Sequence, residues 1–98
     1  MKKFSSIEEI RNEIDKIDLK ILELISDRKK MVVEVVKHKK KDQIIDKKRI
    51  NFILNKLGLE AKKRGLPEHL VQGLWDFMIK SFIMYEQQIF DEINKKNK

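Results

Sequence analysis

Residues 7–28 read Ile7-Glu8-Glu9-Ile10-Arg11-Asn12-Glu13-Ile14-Asp15-Lys16-Ile17-Asp18-Leu19-Lys20-Ile21-Leu22-Glu23-Leu24-Ile25-Ser26-Asp27-Arg28. Ile7, Ile10, Ile14, Ile17, Ile21 and Leu24 recur at intervals of three and four, the a/d seam of a helix that packs on another helix. Upstream, Ser5-x-x-Glu8 and Ser6-x-x-Glu9 each fit a capping box that starts it. No Gly or Pro interrupts the pattern through Met31 and Val35, so the spacing predicts one helix to about Lys40. Roughly 34 residues at 1.5 Å per residue make about 50 Å, whereas a compact monomer of this length is about 30–35 Å across. A seam that long asks for a partner chain, and a second copy in a symmetric dimer is the simplest one. The alternative is a long antiparallel three-helix monomer with a protruding end.

Two further helices follow. Asp46 is a good N-cap for a segment through Ile50, Ile53, Leu54 and Leu57, which stops near Gly65 as a C′ residue. Pro67 suits the first turn of the third helix, whose stripe is Val71, Leu74, Trp75, Met78, Ile79, Phe82, Ile83, Phe90 and Ile93. Asn94 to Lys98 form a polar tail expected to fray. The 98 residues make one domain, 1–98, of all-α class.

Composition removes several classes. With no cysteine there is neither a disulfide framework nor a Cys-containing zinc site. His38 and His69 lack a metal-ligand constellation. No Gly-rich phosphate loop and no nucleophile–base arrangement is visible, and Ser26 and Ser81 read as ordinary helix residues. No apolar run approaches 18 residues, so no membrane span is expected. Met1-Lys2-Lys3-Phe4 is followed by no apolar stretch, which makes the cytoplasm the default compartment.

Charge is more informative. The chain holds 23 Lys and Arg against 16 Asp and Glu, 23 − 16 = +7. Residues 28–49 contain ten cations and three anions, so they carry that whole excess, 10 − 3 = +7. Such a segment implies an anionic partner, although Lys40 and Lys41 also read as a solvated loop. Nineteen cations are lysines and only four are arginines, Arg11, Arg28, Arg49 and Arg64. The first three fall at or beside apolar stripes. Arginine binds carboxylates bidentately and is the preferred buried cation, which turns the anionic partner into a small molecule bearing carboxylates.

Burying an unpaired charge is costly, so a charge that interrupts an apolar stripe needs a partner or a ligand. Arg28 continues the first seam. Lys39, eleven residues on, returns to the same helical face about 16 Å away, and the two could clasp one anion. The plainer reading is an arginine that snorkels to water. Arg11 lies about 25 Å from Arg28 along the axis, but in an antiparallel dimer Arg11 of one chain approaches Arg28 of the other. Arg49 shares or borders the face of Ile45, Ile53 and Leu57. Glu86 falls in the series 75, 79, 82, 86, 90, 93. It either pairs with a cation or is driven by burial to its protonated form, which donates a hydrogen bond.

These residues, in this order, resemble an all-helical (AroQ-type) chorismate mutase over roughly residues 6–90. The strings are Ile10-Arg11-x-x-Ile14-Asp15-x-Ile17-Asp18, Ile21-Leu22-x-Leu24-Ile25-x-x-Arg28, Val35-Val36-Lys37-His38-Lys39 and Asp46-x-x-Arg49. The resemblance implies a three-helix protomer paired into an intertwined homodimer with shared active sites. It also implies the rearrangement of chorismate to prephenate in aromatic amino acid biosynthesis, with no cofactor or metal. Arg11 of one chain and Arg28 of the other would hold the substrate carboxylates. Lys39 would contact a carboxylate and the ether oxygen whose bond breaks, and Glu86 would bond that oxygen from the other side. Asp46 and Arg49 would line the site, with Val35, Ile79 and Ile83 as apolar wall.

Three positions depart from many bacterial members: Glu86 replaces a Gln, Ile50 replaces a Glu that binds the substrate hydroxyl, and Phe82 replaces a Ser. Ile50 and Phe82, both facing substrate by this resemblance, are similar to the isochorismate–pyruvate lyase branch. A mutase acting on the 4-amino analogue, whose amine a carboxylate could receive, is a further alternative, and a regulatory member of the fold another. The reading from a different class is a basic helical module that binds nucleic acid. Against it, the only Trp and Tyr lie on the third helix, away from the basic segment, and no helix-turn-helix pattern is evident.

Overall fold

The structure, a computed structural model, describes residues 3–96. Helix α1 spans Ile7–Val36, α2 Lys47–Lys63 and α3 Glu68–Lys96, with a 3-10 turn at Lys41–Gln43 between the first two. No strand occurs among the described residues, and the all-α, three-helix expectation holds. The chain divides after Met31 into two compact units.

The first unit holds α1 up to Met31. Its start is fixed by Ser6, whose Oγ accepts the Glu9 N–H at 3.2 Å, while the Glu9 carboxylate accepts the Ser5 N–H at 2.9 Å. Of the two possible boxes, Ser6-x-x-Glu9 is the one that forms, with the carboxylate reaching one residue further back. The hydrogen bonds from Ser5, the backbone one first, hold the Glu9 carboxyl below its ordinary value. That contribution to the helix start is therefore present at neutral pH and is lost as pH falls through the lowered pKa. The seam is open to solvent: Ile7, Ile10, Ile14, Ile17, Ile21 and Leu24 are all exposed.

The second unit begins with the last turn of α1. The helix ends at Val36 rather than near Lys40, a correction to the expectation from periodicity. Two bonds of i to i+3 type, His38 N–H to Val35 O at 3.0 Å and Lys39 N–H to Val36 O at 3.1 Å, tighten the chain out of the helix. Four β-branched residues, Val32, Val33, Val35 and Val36, weaken propagation there, and the cations that follow repel one another.

Helix α2 starts at its predicted cap. Asp46 is extended and its side chain accepts the Arg49 N–H. The helix closes in a Schellman motif, with Leu66 N–H to Ala61 O at 2.8 Å and Gly65 N–H to Lys62 O at 3.2 Å. Gly65 takes the left-handed φ of 70° that this motif needs. Pro67 stands one residue before α3, and its carbonyl accepts the Val71 N–H. Asn94 to Lys96 continue α3 as helix, with Asn94 Nδ2 donating to Phe90 O at 2.8 Å, so the expected fraying does not begin at Asn94. Asn97 and Lys98 lie outside the described residues.

Helices α2 and α3 pack on each other. The buried apolar residues are Val36, Ile44, Ala61, Val71 and Ile79. Val71 and Ile79 come from the predicted α3 stripe, although Leu74 of the same stripe is exposed. Gly58 is buried on α2 beside the start of α3: a Cβ there would meet Glu68 Oε1 at 3.0 Å.

Candidate functional site

The site is built on the segment between α1 and α2. Once α1 has ended, Lys39 is free of the helix and turns its side chain toward α3. Its Nζ donates to Glu86 Oε1 at 3.1 Å. Glu86 sits there because it lies seven residues, about two turns, beyond buried Ile79 on the same face. It is the one buried charged residue among those described, at 8% exposure. Both side chains of the pair are largely shielded, at 22% and 10%, so their attraction is less screened than that of a surface ion pair. Of the two roles weighed for Glu86, the structure displays the ion pair.

Asp46 spends one carboxylate oxygen on the Arg49 N–H, at 3.0 Å. With Lys39 it lines an open cavity of about 580 Å³, whose other walls are His38, Asp42, Gln43, Ile45, Lys47 and Lys48. A smaller one of about 290 Å³ lies between Lys41, Asp42, Ile44, Ile45, Gln87, Phe90 and Asp91.

Arg49 is exposed, and its guanidinium lies 5.3 Å from the centre of the Phe52 ring, which Lys56 also approaches at 5.8 Å. Of the residues expected beside Arg49, Ile53 and Leu57 follow it on α2 at intervals of four, and Ile45 alone is corrected. Ile45 precedes the helix and cannot share a helical face with it. Phe52 went unnoticed in the sequence, although i to i+3 spacing on α2 was the signal that could have found it. Ile50 is half-buried, as are Phe82 and Ile83, and Ile79 is buried. Val35 is exposed at 47% while its neighbour Val36 is buried.

Arg11 and Arg28 belong to the first unit, Arg11 exposed and Arg28 half-buried. Being seventeen residues apart on one helix, about 25 Å, they cannot both grip one small molecule from the same chain. The expectation that Arg28 and Lys39 share a helical face is corrected, because Lys39 lies beyond the end of α1. The structure thus joins Lys39 to Glu86 and places Lys39 and Asp46 on one cavity. Among the described residues, no three His, Asp or Glu side chains converge as a metal site requires.

Chemically, this arrangement offers a shielded ammonium beside a carboxylate, bordered by an open basic cavity. It suits an anion with an acceptor oxygen. Comparison with known proteins points the same way. Residues 10–87 match the sequence profile of a family described as chorismate mutase type II. The chain is 29% identical over 92 residues to a chorismate mutase of Methanocaldococcus jannaschii, covering 92% of this chain and 93% of that one. It is 28% identical over 89 residues to a bifunctional chorismate mutase/prephenate dehydratase of Buchnera aphidicola subsp. Schizaphis graminum, covering 89% of this chain and 23% of that protein.

Proposed function

Because the chain belongs to the chorismate mutase type II family, whose profile runs across both of its compact units, we infer that it is an isomerase converting chorismate to prephenate. The observation that carries this reading is the shielded pair of Lys39 and Glu86 at 3.1 Å, formed by the two residues that the family resemblance puts on either side of the breaking ether bond. The reaction is unimolecular: one C–O bond breaks, one C–C bond forms, and no proton needs to move. A protein accelerates it by holding a flexible dianion in its reactive conformer and aiming donors at the ether oxygen as negative charge develops there.

In this scheme Lys39 donates to that oxygen from one side and the carboxyl group of Glu86 faces it from the other. Entry of the substrate then exchanges the Lys39–Glu86 contact for two contacts to substrate. Arg28 and the partner chain's arginine at position 11 clamp the carboxylates, Asp46 and Arg49 line the site, and Val35, Ile50, Ile79, Phe82 and Ile83 form its apolar wall. The dimer this needs is supported by the α1 seam, an apolar stripe on a unit that is a single helix with nothing of its own to cover that stripe. Across such a dimer the two units form one functional domain, 1–98.

A second reading uses the same fold to eliminate pyruvate from isochorismate. It is supported by Ile50 directly after Arg49 and by Phe82 four residues before Glu86. Incubating the chain with chorismate tests the first reading. Prephenate appears if it is right, and chorismate left unchanged at high enzyme concentration would refute it.

A further inference from the structure

The feature left over once these roles are assigned is charge around the cavity. Residues 37–49 hold seven cations and two anions, 7 − 2 = +5. Lys37 is paired with Glu34 at 3.0 Å and Lys39 with Glu86. Lys40, Lys41, Lys47 and Lys48 are all exposed, and none forms an ion pair among the described residues. Elsewhere Lys16, Lys63 and Lys80 each meet a carboxylate three or four residues away. Lys47 and Lys48 line the cavity shared by Lys39 and Asp46. Lys41 lines the smaller one, and the two cavities have Asp42 and Ile45 in common.

We propose that Lys40, Lys41, Lys47 and Lys48 form an electrostatic funnel that captures a dianionic substrate and delivers it to the cavity without holding it. The proposal rests on the dicarboxylate reading above. Clustered charge of one sign beside a cleft raises the local concentration of a counter-charged ligand and its encounter rate by about 10- to 1,000-fold at low salt. Its reach is about one Debye length, about 10 Å at 0.1 M salt. Lysine suits the task because its ammonium stays hydrated on a flexible stem and has no planar fork to clamp a carboxylate. The chain's use of lysine here and arginine at Arg11, Arg28 and Arg49 then separates attracting from gripping.

The test combines Lys40→Gln, Lys41→Gln, Lys47→Gln and Lys48→Gln and follows chorismate turnover against ionic strength. The funnel predicts a kcat/KM lowered about tenfold at low salt, with kcat unchanged in the Lys40→Gln, Lys41→Gln pair, which stands outside the cavity of Lys39 and Asp46. The native and substituted chains converge as salt rises. A kcat/KM equal to the native value at low salt overturns the proposal. A loss that persists at high salt, or a loss of kcat in the Lys40, Lys41 pair, overturns it too, since either would mean direct contact. If the native chain converts chorismate but shows no salt dependence in kcat/KM, only the funnel fails. If it converts none, the functional reading fails and the funnel with it.

Discussion

The Lys39 ammonium donates to the Glu86 carboxylate at 3.1 Å across 47 positions of sequence, tying the segment after α1 to the middle of α3. Neither partner alone would be comfortable there. Removing Glu86 leaves a shielded ammonium without its acceptor, at a cost of about 1–3 kcal/mol. Glu86→Ala is therefore expected to lower both thermal stability and activity. Glu86→Gln, which keeps a hydrogen-bonding group, is expected to retain most of the stability.

The role of Glu86 at the ether oxygen can be read from turnover. The amide of Glu86→Gln can still donate a hydrogen bond there and should keep turnover, whereas Glu86→Ala, with no polar group at that position, should lower kcat/KM by about 10-fold. Native turnover in Glu86→Ala would confine Glu86 to its ion pair with Lys39.

Arg28→Lys keeps the charge on α1 but removes the planar fork. If Arg28 binds a carboxylate bidentately, kcat/KM should fall by about 10- to 100-fold, the loss of one charge-assisted hydrogen bond and its geometry. Native rates in this variant would sink the bidentate assignment.

A site shared between chains can be rebuilt by mixing. Arg11→Ala and Arg28→Ala chains are each expected to be inactive alone. Unfolded together and refolded, they form mixed dimers in which one of the two sites has both arginines. Activity should return to about a quarter of the native value when chains pair at random. No recovery, with dimers present by light scattering, would argue against sharing.

Asp46 serves two functions that substitution can separate. Asp46→Ala removes the cap on the Arg49 N–H and should cost about 1 kcal/mol, whereas Asp46→Asn should keep the cap. If Asp46 also meets the substrate as a carboxylate, Asp46→Asn loses activity while its melting temperature stays near the native one.

Much of this molecule was legible in local signals. Ser6, Asp46 and Gly65 mark helix ends through hydrogen bonds that span five residues or fewer, and the structure forms them where the sequence places them. The end of α1 was not legible. Its seam continues through Met31 and Val35 with no Gly or Pro, and the turn that stops it is made by backbone bonds at His38 and Lys39. That one error carried Lys39 onto a helical face shared with Arg28. The Lys39–Glu86 contact lay beyond what spacing can say, since spacing speaks for residues within one element and this pair joins two; only the family resemblance set both beside one oxygen. Arg49 over Phe52, by contrast, is local and readable. Attention to apolar stripes hid it, because Phe52 lies off the buried face.

The central claim is that this basic, lysine-rich helical chain rearranges chorismate rather than cleaving its isomer. Chorismate and isochorismate incubated side by side with the chain, and their products separated, test it most directly. The account predicts prephenate from chorismate and no enzyme-dependent pyruvate from isochorismate. Pyruvate and salicylate from isochorismate, with chorismate untouched, would contradict it and move the chain to the lyase reading that Ile50 and Phe82 support.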